Sequence, residues 1–172
     1  LRHDGQTYQS VALRSLTNVS SQQKARQQIL VKEPELRRYL AAMFIDPELQ
    51  RAFAQATQRK HIPAGTEIIG VGDTITHIPI VEKGSLRILA QDGEGRERYL
   101  YHILPGESCA TSLTCCVSKR VSSVRAVVEE DADLLLIPVR YVDEWMVYPE
   151  WRKYVNEIQA QRFQELLEAF EV

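Results

Sequence analysis

The chain has 172 residues, 44% of them hydrophobic and 26% charged, which is enough for one compact domain with a buried core and too apolar for a disordered chain. A formal net charge of -2 and a pI near 6.1 argue against a free-standing nucleic-acid binder, which gathers Lys and Arg on one face. The sequence opens without an apolar h-region and has no run approaching a bilayer span, so neither a leader nor a membrane partner is expected and the protein is read as cytoplasmic.

Residues 1–34 are polar and without period, an N-terminal arm, tail or extra helix; from Gln22 to Leu30 the residues favour helix with a thin apolar face. Glu33-Pro34-Glu35 is a stronger helix start, since Pro suits a first turn and acids suit that end of the dipole. Leu36, Leu40, Met43 and Phe44 form its apolar face. Asp46-Pro47-Glu48 repeats the signal, and Leu49, Phe53 and Ala56 follow at helical spacing. The first third is therefore expected to be helical, until Ile62-Pro63-Ala64-Gly65 changes the pattern.

Short apolar stretches then recur, each closed by Gly or a charged turn: 67–69, 75–81, 86–90, 98–104, 121–128 and 134–139. Leu86, Ile88 and Ala90 alternate with Arg87 and Leu89, the period of a half-buried strand. Asp92-Gly93-Glu94-Gly95 reads as a hairpin turn. Many short strands at near-regular spacing predict a barrel or jelly roll.

Val142 to Tyr148 is a short amphipathic piece, and Pro149-Glu150 starts a long helix. Its apolar stripe drifts and is interrupted by Asn156, Gln159 and Arg162. That suits a helix packed first on its own roll and later on a partner helix, the alternative being one ordinary surface helix. The interface expected in a homodimer is Val155, Ile158, Arg162, Phe163, Leu166 and Phe170. The fold class is mainly β with flanking helices: a double-stranded β-helix, or jelly roll, with N-terminal helices and a long C-terminal dimerisation helix.

The order of turn glycines carries a resemblance. Gly65-Thr66-Glu67, Gly72-Asp73, Val81-Glu82-Lys83-Gly84-Ser85, Gly95-Arg96-Glu97 and Pro105-Gly106-Glu107 follow one another as in the cyclic-nucleotide-binding domain of bacterial Crp–Fnr transcription regulators. The run Pro105-Gly106-Glu107-Ser108-Cys109 through Thr114-Cys115 resembles a subgroup with a Gly-Glu-Ser-Cys signature. The likeness covers about 62–172 and implies a non-enzymatic sensor domain over 35–148. It also implies a dimerisation helix over 149–172 that reaches the hinge of a winged helix-turn-helix. DNA and RNA polymerase would then be partners only of the full-length regulator.

The resemblance also implies a cyclic nucleotide held inside the roll against a phosphate-binding cassette, by a Glu on the ribose and an Arg on the phosphate. A buried phosphate needs such a cation. The matching positions are Gly106, Glu107 and Ser108 at one end and Arg120, Ser122 and Ser123 at the other. Glu107 has a second reading, a carboxylate capping the helix that follows. The pattern departs from the family at the phosphate Arg: alignment from the downstream acidic run sets Val121 or Ser122 there, with Arg120 one or two residues away. The effector itself is left unknown by the sequence.

The rival chemistry is thiol-based. Cys109, Cys115 and Cys116 lie on the cassette, Cys109 near a helix start that lowers a thiol pKa, so oxidation or a Cys109–Cys115 disulfide would move the same element. Buried core cysteines are the plain alternative. Three thiols without Cys-x-x-Cys spacing argue against an iron–sulfur or zinc site. Haem would have only His77, His102 and, at the roll's entrance, His61. The scattered histidines and the lack of a nucleophile elbow or Walker loop argue against an enzyme.

Overall fold

The computed structural model describes residues 38–170. The chain divides into two compact units, Leu1–Ala42 and Met43–Val172; the described residues of the first, 38–42, are helical. The arm expected over 1–34, the helix expected from Gln22, and the start at Glu33-Pro34-Glu35 lie outside the described residues.

In the second unit, helix α1 (Pro47–Ala56) begins at the predicted signal. Asp46 caps it, its carboxylate accepting from the amides of Glu48 at 2.8 Å and Leu49 at 3.3 Å, while Pro47 presets the first turn. Leu49 and Phe53 form its buried face.

The next element corrects the expectation of helix up to Ile62, because Gln58–Ile62 is strand β1. Gln-Arg-Lys-His-Ile hides its strand character because it is an edge. Among the described residues it pairs on one side only, with β5 (Val124–Pro138), from Gln58↔Leu136 to Ile62↔Ala132. A charged edge strand resists pairing with another chain.

Strands β2 (Glu67–Ile69), β3 (His77–Gln91) and β4 (Glu97–Ile103) complete an antiparallel sheet of order β1-β5-β3-β4, with β2 also on β5. Two pairs of expected short strands are in fact single long ones, β3 and β5, of 15 residues each. What reads as a turn at Lys83-Gly84 is a bend, where the β3–β5 register shifts between Val81, Lys83, Ser85 and Leu86. The bend lets the first half of β3 join β5 and β1 in one layer, and the second half join β4 and β5 in the other. Ile78, Ile80, Leu86, Ile88, Leu134 and Ile137 are wholly buried.

Helix α2 (Ala110–Ser118) lies between β4 and β5. After β5 come α3 (Arg140–Glu144), a single 3₁₀ turn (Trp145–Val147) and α4 (Pro149–Phe170). An aromatic cluster roots α4. Trp151 is wholly buried, with its ring centroid 5.3 Å from Trp145 and 5.6 Å from Tyr154. Its indole N–H donates to the Val142 carbonyl at 2.9 Å, so the polar edge is satisfied where the ring is dry. Glu150 accepts from the amides of Ile45 at 2.7 Å and Asp46 at 2.6 Å, which fixes the start of α4 against the chain entering α1.

Candidate functional site

The cassette, residues 105–123, leaves β4 and returns to β5. Gly106 donates its amide to the Val81 carbonyl at 2.8 Å, and the buried Ser108 donates its hydroxyl to Pro79 at 2.7 Å. Ser108 also bridges to Ile80, so the incoming end is sewn onto β3. The outgoing end is closed by Ser122, whose hydroxyl donates to the Val124 carbonyl at 2.7 Å and whose backbone bonds Gly72 and Asp73, each at 2.8 Å. Both serine hydroxyls are therefore consumed within the chain. Arg120 and Ser123 are exposed. Arg125 turns to the acids beside it, its Nε donating to Glu67 at 2.5 Å and its guanidinium pairing with Glu97.

Glu107 faces α4. Its carboxylate accepts from its own turn, the Leu104 amide at 3.0 Å, and from Arg162 at 2.7 Å and Gln161 at 2.9 Å. Arg162 is mostly covered, with 12% of its side chain exposed. It also donates to the His102 carbonyl at 3.0 Å and to Glu165 at 2.6 Å. Burial works against its charge, but the Glu165 hydrogen bond and the Glu107 charge hold its pKa above the ordinary value. The guanidinium carbon stands 4.2 Å from the centroid of the Tyr101 ring, a cation–π contact made strong by desolvation. The Tyr101 hydroxyl meets Thr111 Oγ1 at 3.1 Å, and burial raises the phenol well above its usual pKa, so it stays protonated.

Two more residues of α4 reach the cassette. Tyr154 donates its hydroxyl to the Gly106 carbonyl at 3.0 Å, and Gln159 donates to the Ala110 carbonyl and to Thr114 Oγ1, each at 3.1 Å. Sequence reading does not single out Tyr101, Gln159 or Gln161 as site residues. The polar interruptions of the α4 stripe at Gln159 and Arg162 are the available signal, because both mark where the helix meets cassette polar groups.

The three cysteines are free thiols. Cys109 is wholly buried and caps α2 through Sγ, which accepts the Ser112 amide at 3.4 Å. Cys115 is buried and donates to the Val121 carbonyl at 3.6 Å. Six residues of helix rise separate the two by about 9 Å, beyond the roughly 7 Å that a disulfide spans between Cα atoms, so the expected Cys109–Cys115 bridge does not fit this geometry. The Cys116 thiol is pushed up to about 11, first by burial and then by Cys115. At pH 7 its thiolate fraction is then roughly one in ten thousand. Alkylation of Cys116 is expected to run about a hundred-fold slower than that of a free cysteine at pH 7, and to rise about ten-fold per pH unit. Iodoacetamide labelling followed by peptide mass mapping checks this; rapid labelling of Cys116 at pH 7 would contradict it.

Val155 and Ile158, expected at a dimer interface, are covered by their own domain in the single chain. Phe163, Leu166 and Leu167 stand out at 65%, 57% and 43% exposed. The Phe170 side chain lies outside the described residues. A cavity of 260 Å³, lined among others by Lys60, Thr74, His77 and Leu136, includes no cassette residue.

The profile of the cyclic nucleotide-binding domain family matches residues 59–147, more than half of the chain. The chain belongs to that family. As a cyclic nucleotide-binding domain it is structurally similar to a transcriptional regulator assigned to the Crp/Fnr family from Eubacterium rectale, at 26% identity and a TM-score of 0.64. It is also similar to the catabolite activator protein of Thermus thermophilus, at 26% identity and a TM-score of 0.60. In both cases 73% of this chain is covered, and the chain spans about 59% of the regulator's length. The regulatory domain of Toxoplasma gondii PKA, crystallised with cAMP, shares the fold at 22% identity and a TM-score of 0.53, over 69% of this chain and 44% of that one. No curated protein matches the chain in sequence at a significant level. Among the described residues, no helix of this cyclic nucleotide-binding domain is long and apolar enough to cross a membrane.

Proposed function

We propose that this cyclic nucleotide-binding domain is the sensory and dimerisation part of a Crp–Fnr-type transcription regulator, coupling a signal at the cassette to DNA binding by a winged helix-turn-helix. The observation that carries the reading is the course of α4. Its middle turns, from Tyr154 to Arg162, are bound to the cassette, and the same helix then presents Phe163, Leu166 and Leu167 uncovered. An element that touches the sensor at one end and offers an apolar face at the other is suited to carry a change between copies.

The nucleotide chemistry is the weaker half of the resemblance here. Glu107 is engaged by Arg162 and Gln161, Ser122 is tied into its own turn, and Arg120 is exposed. A buried cyclic phosphate would have to break one of these arrangements to gain a cation. Isothermal titration with cAMP is therefore expected to show no binding below roughly 100 μM, where Kd = 1 μM would correspond to about -8.2 kcal/mol. Saturable uptake of one cAMP per chain at low micromolar concentration would contradict this and make the domain a nucleotide sensor. The thiol chemistry has little support either, because Cys109 and Cys115 are buried and Cys116 is held protonated.

A further inference from the structure

Strand β1 divides its charges between two faces. Arg59 and His61 point to one, where Glu82 pairs with Arg59 at 2.6 Å and Asp133 with His61 at 2.8 Å. The alternate residues, Gln58, Lys60 and Ile62, point to the other and line the 260 Å³ cavity. There Lys60 is a cation without an acid, making no ion pair among the described residues. The carboxylate in the same lining, Asp73, is turned to its own loop, where it accepts the Gly70 amide at 2.7 Å.

The rest of the lining is of two kinds. Ile62, Ile68, Ile69, Ile75, Pro79 and Leu136 bring apolar surface from four strands and the loop before β3. Ile69, Ile75 and Pro79 are buried and form the floor. Thr74 and Thr76 are exposed at the rim, and Thr76 Oγ1 stands 3.0 Å from His77 Nδ1. A dry floor, a hydroxyl rim and one uncompensated ammonium make a concavity suited to a small amphipathic anion. At about 30 Å³ per water, the space equals about eight or nine waters, the room of a molecule of about ten non-hydrogen atoms. One ammonium offsets one negative charge, and Asp73 already sets a carboxylate nearby, so a monoanion suits the site and a phosphate dianion does not.

We propose that this cavity binds a small monocarboxylate with an apolar body, the carboxylate on the Lys60 ammonium and the Thr74 hydroxyl and the body on the isoleucine floor. The site is separate from the cassette, none of whose residues line it. It stands whether or not the domain dimerises or takes a cyclic nucleotide.

The test is a ¹H–¹⁵N NMR titration of the full chain at pH 7 with octanoate, a monocarboxylate of that size, and with 1-octanol, which has the same tail without the charge. Saturable octanoate shifts confined to residues 58–62, 68–77 and 134–137 are expected, with Kd on the order of 0.1 mM. Octanol is expected to bind about ten-fold more weakly, and Lys60→Gln to weaken octanoate by about ten-fold while leaving octanol unchanged. No saturable shift up to about 10 mM octanoate would overturn the site. Shifts centred on residues 105–123 would overturn it too, by placing the ligand in the cassette. Equal binding of octanol and octanoate, or of octanoate to wild type and Lys60→Gln, would overturn the assignment of a carboxylate to Lys60.

Discussion

Replacing Gly84 with Ala is expected to lower the melting temperature by roughly 10–20 °C, if the protein still folds at all. Gly84 sits at the bend of β3 with φ at +78, and a Cβ there would fall inside the Asp131 carbonyl oxygen and within 2.8 Å of Ala132 Cα. Both neighbours are backbone of β5, which is paired with β3 on either side of the bend, at Lys83↔Asp133 and Ser85↔Glu130, so little room is left for it to withdraw. Left-handed backbone at a non-Gly residue costs on the order of 1–3 kcal/mol, and overpacking a rigid neighbour about as much again. Against a total stability of about 5–15 kcal/mol, the sum is severe. Gly93, in the β3–β4 turn, meets nothing within 4 Å, and Gly93→Ala is the control, expected to stay within about 1 kcal/mol of wild type. Thermal denaturation of the two variants side by side decides the matter; equal melting temperatures would show that the bend does not depend on close approach at Gly84.

The second large effect concerns association. Phe163→Asp with Leu166→Asp is expected to raise the dimer dissociation constant by at least roughly a thousand-fold, or about 4 kcal/mol. Each side chain loses about 1.5–3 kcal/mol of burial in each copy, and each Asp brings a carboxylate to be desolvated. The fold is expected to survive, because both residues are already more than half exposed in the single chain. Val155 and Ile158 are poor choices for this experiment, since burying Asp there would unfold the domain and mimic dissociation. Sedimentation velocity together with circular dichroism separates the two effects. A variant that remains dimeric would move the interface away from this end of α4.

How far the sequence foretells these features depends on the range of the forces involved. Signals that act within a few residues were readable. Asp46-Pro47-Glu48 starts α1 because cap and proline act locally, and Asp92 to Gly95 forms the β3–β4 turn, with the Gly95 amide donating to Asp92 at 3.0 Å. The jelly-roll class followed from the repeating apolar stretches. β1 escaped because an edge strand needs no apolar alternation, and its partner Leu134–Leu136 lies more than 70 residues away. The bends of β3 and β5 escaped because glycine and acidic residues mark bends and turns alike. At the site, Glu107 was visible from its Gly-Glu context, but its principal partner, Arg162, is 55 residues distant on another element. Only tertiary packing brings them together. Likewise, the stripe of α4 announced two kinds of contact, but only the roll's actual edge shows that the change comes after Arg162 rather than before Val155.

Native mass spectrometry of the chain, purified under anaerobic conditions and sprayed over a range of concentrations, tests the proposed role most directly. The expected result is a dimer at twice the 19.7 kDa chain mass, without added nucleotide and without a covalent link between copies. A chain that flies only as a monomer at micromolar concentration would contradict the reading of α4 as a dimerisation helix, and with it the reading of the domain as half of a paired DNA-binding regulator.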